Sequence, residues 1–484
     1  MVFPLIRVRG LSPVQVLYLL AVPVVIYIGL SSARLLVADP DKTTILAFMA
    51  IASALIFAKP LYGVYLIAVE EFCLVPFAIY GRSIGLIIVV LTALATVLRT
   101  KFEALPLIRQ LKGLFRYMLL LFFLVALSLA IHGHFFSHAK IAFNILFFIL
   151  VISLMYIHLT TKERLWTFLK VALVCAFISA SLGVVQFLFR PAFLFMHVVD
   201  RYVDNPVFAL RAKERLRRSV RYSIQGRVMG LNRDSISYSK DIAVVAVVVS
   251  AFVVLGGGRR FLLKVLAFVI WLGLAFSFNR AAIGGTFLGL LYVLHRHRGI
   301  RKGKLWIPLM LLVLSMPFWH LFLERSLGVL KVSTLKDDSV YSRVGAYYNA
   351  IMLGIRYPLF GTGPTGSAST EDMKGIGSFI SHASGHNRFL MTWYRYGFPA
   401  LIVLILIYRE IIRYCRFVAH NAKDRDLYIL GNGLLASMIG DILFSFFHPY
   451  GWEYLILWLI TGTIVVAHRF TTTELAQRNT PQAS

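Results

Sequence analysis

Acidic residues are scarce in this sequence, and charged residues of either sign are few. Asp and Glu together number 22 against 50 Lys and Arg, and charged residues make up only 15% of the chain. Hydrophobic residues make up 59%. A soluble globular domain carries more charge than this on its surface. The composition therefore excludes a chain built only of soluble domains.

Cysteine is also rare, and the three cysteines show no CxxC or other paired spacing. Cys73, Cys175 and Cys415 lie in or beside apolar runs. A thiol in such a setting behaves as a small hydrophobic side chain. We interpret all three as buried apolar residues rather than as disulfide partners or metal ligands.

Two motifs of cofactor-dependent enzymes are missing, since the sequence has neither a P-loop nor an HExxH zinc motif. The histidines His132, His134 and His138 cluster in a predicted short turn, where solvated loop histidines are favoured over a metal site. We expect no metal, no other cofactor and no nucleic-acid partner.

Apolar runs of about twenty residues recur along the chain, and this is the length that a helix needs to cross a bilayer. The sequence predicts an all-α, polytopic membrane helical bundle of about fourteen transmembrane helices, with a range of roughly twelve to fourteen. The predicted helices are 14–33, 44–58, 61–80, 83–98, 117–132, 141–160, 166–189, 241–256, 261–277, 281–295, 305–322, 389–409, 427–447 and 453–468.

The connections between these helices carry clusters of Lys and Arg, which mark the cytoplasmic side of a membrane protein. All of the clusters fall on one side if the amino terminus is cytoplasmic and fourteen helices alternate. They are Arg7/Arg9, Arg99/Lys101/Arg109/Lys112/Arg116, Lys162/Arg164, Arg259/Arg260/Lys264, Arg296/Arg298/Arg301/Lys302/Lys304, Arg409/Arg413/Arg416 and Arg469. We therefore expect both termini in the cytoplasm of a bacterium and the helices in its inner membrane.

Two long loops then lie in the periplasm, and both are expected to contain helices. They divide the chain into five parts: membrane helices over 1–189, a basic loop over 190–240, membrane helices over 241–322, a large loop over 323–388, and membrane helices with a cytoplasmic tail over 389–484.

The first long loop has an excess of basic residues that ends at Lys240 and faces only four acids. One interpretation is an amphipathic helix lying on anionic lipid head groups. The other is a phosphate-binding surface, because guanidinium groups bind phosphate through two parallel hydrogen bonds. The two are compatible, and both depend on Arg215, Arg217, Arg218, Arg221 and Arg227.

The sequence of the second long loop predicts a helix from Tyr341 to about Arg356. Pro358 breaks this helix, and a glycine-rich turn follows. Another helix begins near His386 and continues as a membrane span. A His and an Asn at a helix start lie beside unpaired backbone N–H groups, which favour anions.

Three elements of this half of the chain are specific in spacing. They are Ser342-Arg343 followed by Pro358, Gly361 and Gly363; His386-Asn387 with Gly397; and Phe276-Ser277-Phe278-Asn279-Arg280. Over roughly 220–465 the chain resembles the shared domain of bacterial O-antigen ligases and the related O-antigen and exopolysaccharide polymerases. Asn279 departs from that family's pattern, which usually has a second Ser there. Arg227, Gly230-Leu231 and Asp234-Ser235 resemble the polymerase members but lack their Pro, so polymerase is slightly favoured over ligase.

The resemblance implies a metal-independent glycosyltransferase of O-antigen or exopolysaccharide biosynthesis. Its donor would be a glycan on polyprenyl (undecaprenyl) diphosphate, and its acceptor a sugar hydroxyl of a second glycan or of lipid A core. His386 would be the general base. Arg280 would stabilise the departing diphosphate. Substrate contacts are expected from Arg343, Asn387, Arg227, Arg215, Arg217, Arg218 and Arg221.

Two other functions stay open on the sequence, namely a transporter or flippase of lipid-linked oligosaccharide and a structural partner in a polysaccharide secretion complex. Glu70, Glu71 and Asp441 lie within predicted spans, where a charge is costly. Each is expected either to pair with an Arg or to contact substrate.

Overall fold

A computed structural model describes residues 51–73, 84–100, 109–189, 228, 230–231, 235–256, 261–296, 338–364, 387–448 and 455–479. The chain divides into two compact units. Residues 1–54 and 189–226 form the first unit, nearly all of which lies outside the described residues. Residues 55–188 and 227–484 form the second, to which the following description applies.

The described residues are helical and contain no strand. The helices are α1 Leu61–Cys73, α2 Ile84–Thr100, α3 Lys112–Ile131, α4 Phe135–His158, α5 Lys162–Phe189, α6 Ser235–Leu255, α7 Phe261–Phe276, α8 Arg280–Arg296, α9 Asp338–Arg356, α10 Arg388–Tyr396, α11 Phe398–Asn421, α12 Arg425–Phe447 and α13 Leu455–Asn479. A 3₁₀ turn at Arg109–Leu111 precedes α3, and residues 51–58 are also helical.

Six helices of the described part are long and apolar enough to cross a membrane: α3, α4, α5, α6, α12 and α13. Shorter apolar helices cover Gly85–Thr100 and Phe261–Phe276. The protein is therefore a helical membrane protein, as the composition predicts. The predicted spans 14–33 and 305–322 lie outside the described residues.

Several predicted helix bounds differ from the structure. Among them, the starts of α3, α4 and α5 lie four to six residues earlier than predicted, and the end of α11 continues to Asn421. Helix α6 begins at Ser235, six residues before the predicted 241, and α13 continues to Asn479. The predicted span 389–409 is two helices, because the chain breaks at Gly397 between α10 and α11. Gly397 has a φ of 90°, which a helix cannot contain, and Pro399 lies in the first turn of α11, where proline is tolerated.

The core of the second unit forms around α12, which packs against α6, α8 and α11. Glycines bring two of these helices close together. An added Cβ on Gly285 of α8 would lie 2.6 Å from the carbonyl oxygen of Gly440 on α12, and one on Gly289 would lie 2.7 Å from that of Ala436. Small residues at such crossings allow helix backbones to approach closely in membranes. Cys175 and Cys415 are buried free thiols, as predicted.

Polar contacts join the connecting segments at one end of the bundle, which we name the basic end. Lys162, at the start of α5, pairs with Asp424 (2.8 Å), which precedes α12, and with Glu474 of α13 (2.5 Å). Arg425 donates to the carbonyl of Leu255 at the end of α6 (3.2 Å). The starts of α5 and α12 and the end of α6 therefore meet here, and the opposite ends of α6 and α12 carry the candidate site.

Candidate functional site

The sequence-predicted site residues differ in how far the structure describes them. Arg280 is the exposed first residue of α8, Asn387 directly precedes α10, and Arg343 belongs to the first half of α9. The predicted residues outside the described part are His386, Arg215, Arg217, Arg218, Arg221 and Arg227.

Asn387 is the amino-terminal cap of α10. Its Oδ1 accepts hydrogen bonds from the backbone N–H groups of Phe389 (2.9 Å) and Leu390 (3.1 Å). Its backbone is extended, with φ at −142°, and its side chain is buried. An Asn cap of this kind fixes where a helix begins. The start of α10 is thereby fixed at Arg388.

The sequence predicts that Arg280 lies within a four-residue turn between two spans. In the structure the turn consists of residues 277–279, and Arg280 follows it. The structure places Arg280 in the helix, because Asn279 caps α8 by accepting from the N–H of Ala282 (3.3 Å). Phe278 in this turn has a φ of 48°, which is uncommon for a residue other than glycine. Arg280 therefore lies at a helix amino terminus, where backbone N–H groups favour anions.

The end of α12 brings the separate site segments together. The hydroxyl of Tyr347 on α9 donates to the carbonyl of Phe446 (2.6 Å), and the ring of Phe389 on α10 lies 5.2 Å from that of Phe446. Nε2 of His448, the residue that follows α12, lies 3.3 Å from Oδ1 of Asn279. The starts of α8 and α10 and the helix that contains Arg343 thus all contact one segment, 446–448.

The glycine-rich turn after α9 docks on the break between α10 and α11. The N–H of Thr362 donates to the carbonyl of Tyr394 (2.7 Å), and the N–H of Phe398 donates to that of Pro358 (2.6 Å). Added Cβ atoms on Gly361 and Gly397 would overlap the backbone of the opposite segment. The motif glycines are therefore needed for this close packing.

Gly361, Gly363 and Gly366 also have the spacing of a GxGxxG nucleotide motif. That motif binds a dinucleotide between a strand and a helix. Gly361 and Gly363 instead follow helix α9, where Gly361 packs on the backbone of Arg395 and Gly363 packs beside the side chain of His132. Their surroundings do not support nucleotide binding.

Two of the three clustered histidines lie in the predicted turn. His132 directly follows α3 and His134 directly precedes α4, whereas His138 lies in the first turn of α4 itself. Across the described ranges, no group of three or more His, Cys, Asp or Glu side chains could hold a metal ion. His132 instead packs beside Gly363, and Ser128 one turn earlier donates to the carbonyl of Phe360 (2.6 Å).

A buried charged network, which the sequence analysis did not predict as a unit, lies next to the start of α10. Arg388 has no exposed surface, and its Nη1 lies 3.0 Å from Oδ2 of Asp441. The hydroxyl of Tyr408 donates to the same oxygen (2.7 Å), and Nζ of Lys240 lies 3.6 Å from Oδ1. Asp441 therefore pairs with an Arg, which is one of the two predicted alternatives. The position of Asp441 within an apolar run indicated that its charge needs a partner, but nothing in the sequence identified the partners.

Lys240 was predicted to end the basic loop, and this prediction is wrong. Because α6 begins at Ser235, Lys240 lies within the helix and is 3% exposed. A cavity of about 20 Å³ between α6, α8 and α12 borders Lys240, Asp441 and Phe444, and it has room for roughly one water molecule. Glu71 of α1 reaches this group, forming a side-chain hydrogen bond with Asp241 and interacting electrostatically with Lys240.

Gly230 and Leu231, from the segment that resembles polymerases, pack against α5. The N–H of Gly230 donates to the side chain of Gln186 (3.0 Å), and the N–H of Leu231 donates to Oγ of Ser179 (3.1 Å). Gly230 has a φ of 55°, and an added Cβ would overlap the ring of Tyr238. This glycine is therefore explained by packing alone.

Residues 265–405 match the family model described as O-antigen ligase. The matched range contains Arg280, Arg343, the glycine-rich turn, His386-Asn387 and Gly397. No curated protein matches the chain significantly. The resemblance inferred from the sequence is confirmed as a similarity to the O-antigen ligase family over these residues.

Proposed function

We propose, from the O-antigen ligase domain at residues 265–405, that this protein transfers a glycan from polyprenyl diphosphate, in bacteria undecaprenyl diphosphate, to an acceptor sugar hydroxyl. The single observation that carries the proposal is the convergence of the starts of α8 and α10 and of helix α9 on residues 446–448. Asn279, which directly precedes the candidate cation Arg280, and the first turn of α10 thereby contact one segment.

His386 is the general base in this proposal. A sugar hydroxyl is a weak nucleophile at neutral pH, and a histidine with an ordinary pKa near ~6.5 can accept its proton. As the proton moves to His386, the acceptor oxygen bonds to the anomeric carbon of the donor, and the bond from that carbon to the diphosphate oxygen breaks. Support comes from Asn387, whose two cap hydrogen bonds fix the start of α10.

Arg280 stabilises the diphosphate as it leaves. The side chain is exposed at the amino terminus of α8, and a guanidinium group can bind two phosphate oxygens at once. Arg343 of α9 and the basic-loop residues are proposed as further donor contacts. Replacement of Arg215, Arg217, Arg218 and Arg221 with Gln should weaken binding of undecaprenyl diphosphate most at low salt. Unchanged binding at both high and low salt would reduce the loop to a surface anchor on membrane lipids.

The site faces the periplasm in this proposal. Support comes from the basic end, where Lys162 and Arg425 lie opposite the site, because basic connections favour the cytoplasm. A cysteine introduced at Gly375 should react with a membrane-impermeant maleimide added outside spheroplasts. A cysteine at Lys423 should react only after permeabilisation, and the reverse pattern would contradict the orientation.

The acceptor in the preferred form of the proposal is a second lipid-linked glycan, as in a polymerase. The reason is the sequence pattern around Arg227 and Gly230, although the packing of Gly230 gives it a structural role as well. Transfer onto lipid A core, as in a ligase, is the alternative acceptor chemistry. In neither case is a metal ion proposed to take part.

The experiment is a transfer assay with purified protein in nanodiscs, synthetic undecaprenyl diphosphate glycan and EDTA. A longer lipid-linked glycan supports a polymerase, and a glycan joined to added lipid A core supports a ligase. Failure to form a glycosidic bond with either acceptor would overturn the proposal. In that case, movement of the donor across a liposome bilayer would indicate a flippase, and absence of movement a structural partner of a secretion complex.

A further inference from the structure

Asn279, the residue directly before Arg280, contacts α8, α6 and the residue that follows α12. Its Oδ1 accepts from the N–H of Ala282 (3.3 Å), which caps α8. Its Nδ2 donates to Oγ of Ser239 on α6 (2.7 Å). The third contact runs from Oδ1 to Nε2 of His448 (3.3 Å). The side chain is buried, so these contacts hold its amide group in one orientation.

The orientation of this amide follows from its partners. The backbone N–H of Ala282 can only donate, so the atom that faces it is the oxygen. The hydroxyl of Ser239 already donates to the carbonyl of Ile236 (2.8 Å), so it accepts from Asn279 and the facing atom is the nitrogen. Because Oδ1 cannot donate, the hydrogen bond from His448 requires a proton on Nε2 of that histidine.

His448 is itself held in place at the end of α12. Its ring stacks on that of Phe444 one turn earlier, with the ring centres 4.5 Å apart and the planes 27° from parallel. The side chain is buried, and the backbone is extended where the helix ends. The imidazole is therefore a fixed donor that ties the end of α12 to the turn before Arg280.

We propose that His448 is a positioning residue for Arg280. It acts through Asn279 and sets the direction in which the first residue of α8 leaves the turn. The turn needs such support, because Phe278 holds a φ of 48° that residues other than glycine rarely adopt. This inference rests on the proposed role of Arg280 as a diphosphate ligand, and it assigns no proton transfer to His448.

Three variants separate this role from a merely structural one. His448→Gln keeps a donor at a reach similar to that of Nε2. His448→Phe keeps a ring that can stack on Phe444 but has no donor. Asn279→Ser keeps a side-chain oxygen that can cap α8, but its hydroxyl is too short to reach His448 as well. Size exclusion and thermal melting in detergent check the folding of each variant.

The measurements are the KM for undecaprenyl diphosphate glycan, the KM for the acceptor, and the Kd of undecaprenyl diphosphate alone. His448→Phe and Asn279→Ser should each weaken donor binding roughly 3- to 10-fold, the equivalent of one lost hydrogen bond. The acceptor KM should stay within about twofold in both, since one weakened contact at Arg280 concerns the donor alone. His448→Gln should restore donor binding to within about twofold. The double variant His448→Phe/Asn279→Ser should be no worse than Asn279→Ser alone, because Asn279→Ser already breaks the link to His448.

Any other outcome of these binding measurements overturns the inference. Wild-type donor binding by both His448→Phe and Asn279→Ser would show that Arg280 needs no such support. Equal impairment of His448→Gln and His448→Phe would show that the imidazole does something other than donate to Asn279. If His448→Phe fails to fold, Asn279→Ser and His448→Gln decide alone. Arg280→Ala is measured in parallel, and wild-type donor binding by that variant would instead refute the proposed function of Arg280.

Discussion

The guanidinium group of Arg388 pairs with the carboxylate of Asp441 at 3.0 Å inside the helical bundle, 53 residues away in sequence. Asp441 also accepts from the hydroxyl of Tyr408 and lies near the ammonium group of Lys240. One carboxylate on α12 thus compensates two cations, one on α6 and one in the first turn of α10. The position of α10 therefore depends on Asp441.

Replacement of Asp441 with Ala should destabilise the protein by about 3–5 kcal/mol, because it leaves two buried cations without this counter-charge. Asp441→Asn keeps an acceptor for Arg388 and Tyr408 and should cost less. The measurement is the free energy of unfolding in detergent, obtained by SDS titration with circular dichroism. Glu163→Ala, which removes an exposed acid at the basic end, is the control and should change stability by no more than ~0.5 kcal/mol. Equal stability of Asp441→Ala and Glu163→Ala would mean that the network does not hold α10.

Gly361 and Gly397 should tolerate no side chain. Gly397 has a φ of 90° and a ψ of 166°, a combination that costs other residues ~1–3 kcal/mol, and an added Cβ would also overlap the carbonyl of Leu359. Gly397→Ala and Gly361→Ala should lower the melting temperature and the transfer rate together, because the turn could no longer dock on α10. Gly113→Ala is the matched control, since an added Cβ there has no atom within 4 Å. It should be neutral or slightly stabilising, and similar losses in all three variants would contradict the docking argument.

Acid should weaken the basic end through Asp424. Partial burial raises the pKa of Asp424, but hydrogen bonds from Lys162 and from the backbone N–H groups of Leu427 and Asp426 together outweigh it, so the pKa lies below its ordinary value of 3.8. A carboxyl group with a lowered pKa in the folded state stabilises the protein above its unfolded pKa, and this contribution is lost as the pH falls through the folded pKa. Wild type should thus be more stable than Asp424→Asn near pH 7, and the difference should shrink below about pH 4. A difference that stays constant from pH 7 to pH 3 would mean that the ion pair with Lys162 contributes nothing.

The membrane helices were predictable because bilayer thickness imposes their length on the sequence. The apolar runs at 117–132, 141–160 and 427–447 lie on α3, α4 and α12. The break at Gly397 was not predicted, because a single residue separates α10 from α11 and the sequence predicts one span across it. It arises from the docking of Pro358–Gly363, a contact between segments that are distant in sequence.

The start of α6 was predicted six residues too far along the chain, for a related reason. Ser235, Ser237, Ser239, Lys240 and Asp241 have the composition of a loop. Ser239 and Lys240 are accommodated in the helix because they have partners on other elements, Asn279 for Ser239 and Asp441 for Lys240. The candidate site likewise depends on contacts between segments that are distant in sequence. Motif spacing identified Arg280 and Asn387, whereas His448 and Asp441 become apparent only once α12 is packed against α6 and α8.

The last prediction concerns the proposed base and cation. His386→Ala should lower the transfer rate ~10²–10⁴-fold, because the acceptor hydroxyl loses its general base. Arg280→Ala should lose at least as much, and Arg280→Lys should restore little, since an ammonium group cannot form the paired hydrogen bonds of a guanidinium group. His138→Ala is the control, because this histidine lies at the start of α4, where it bonds to Ser137. It should keep nearly full activity.

The assay uses purified variants in nanodiscs with synthetic undecaprenyl diphosphate glycan, and size exclusion checks that each variant is folded. Arg280 is exposed at a helix start, so its replacement should leave folding intact. If His386→Ala keeps more than about a tenth of the wild-type rate, the loss is smaller than that of a general base, and His386 is not that base. Glu71 and Asp441 would then be the next carboxylates to test, with Lys240 and Arg388 as their neighbouring cations.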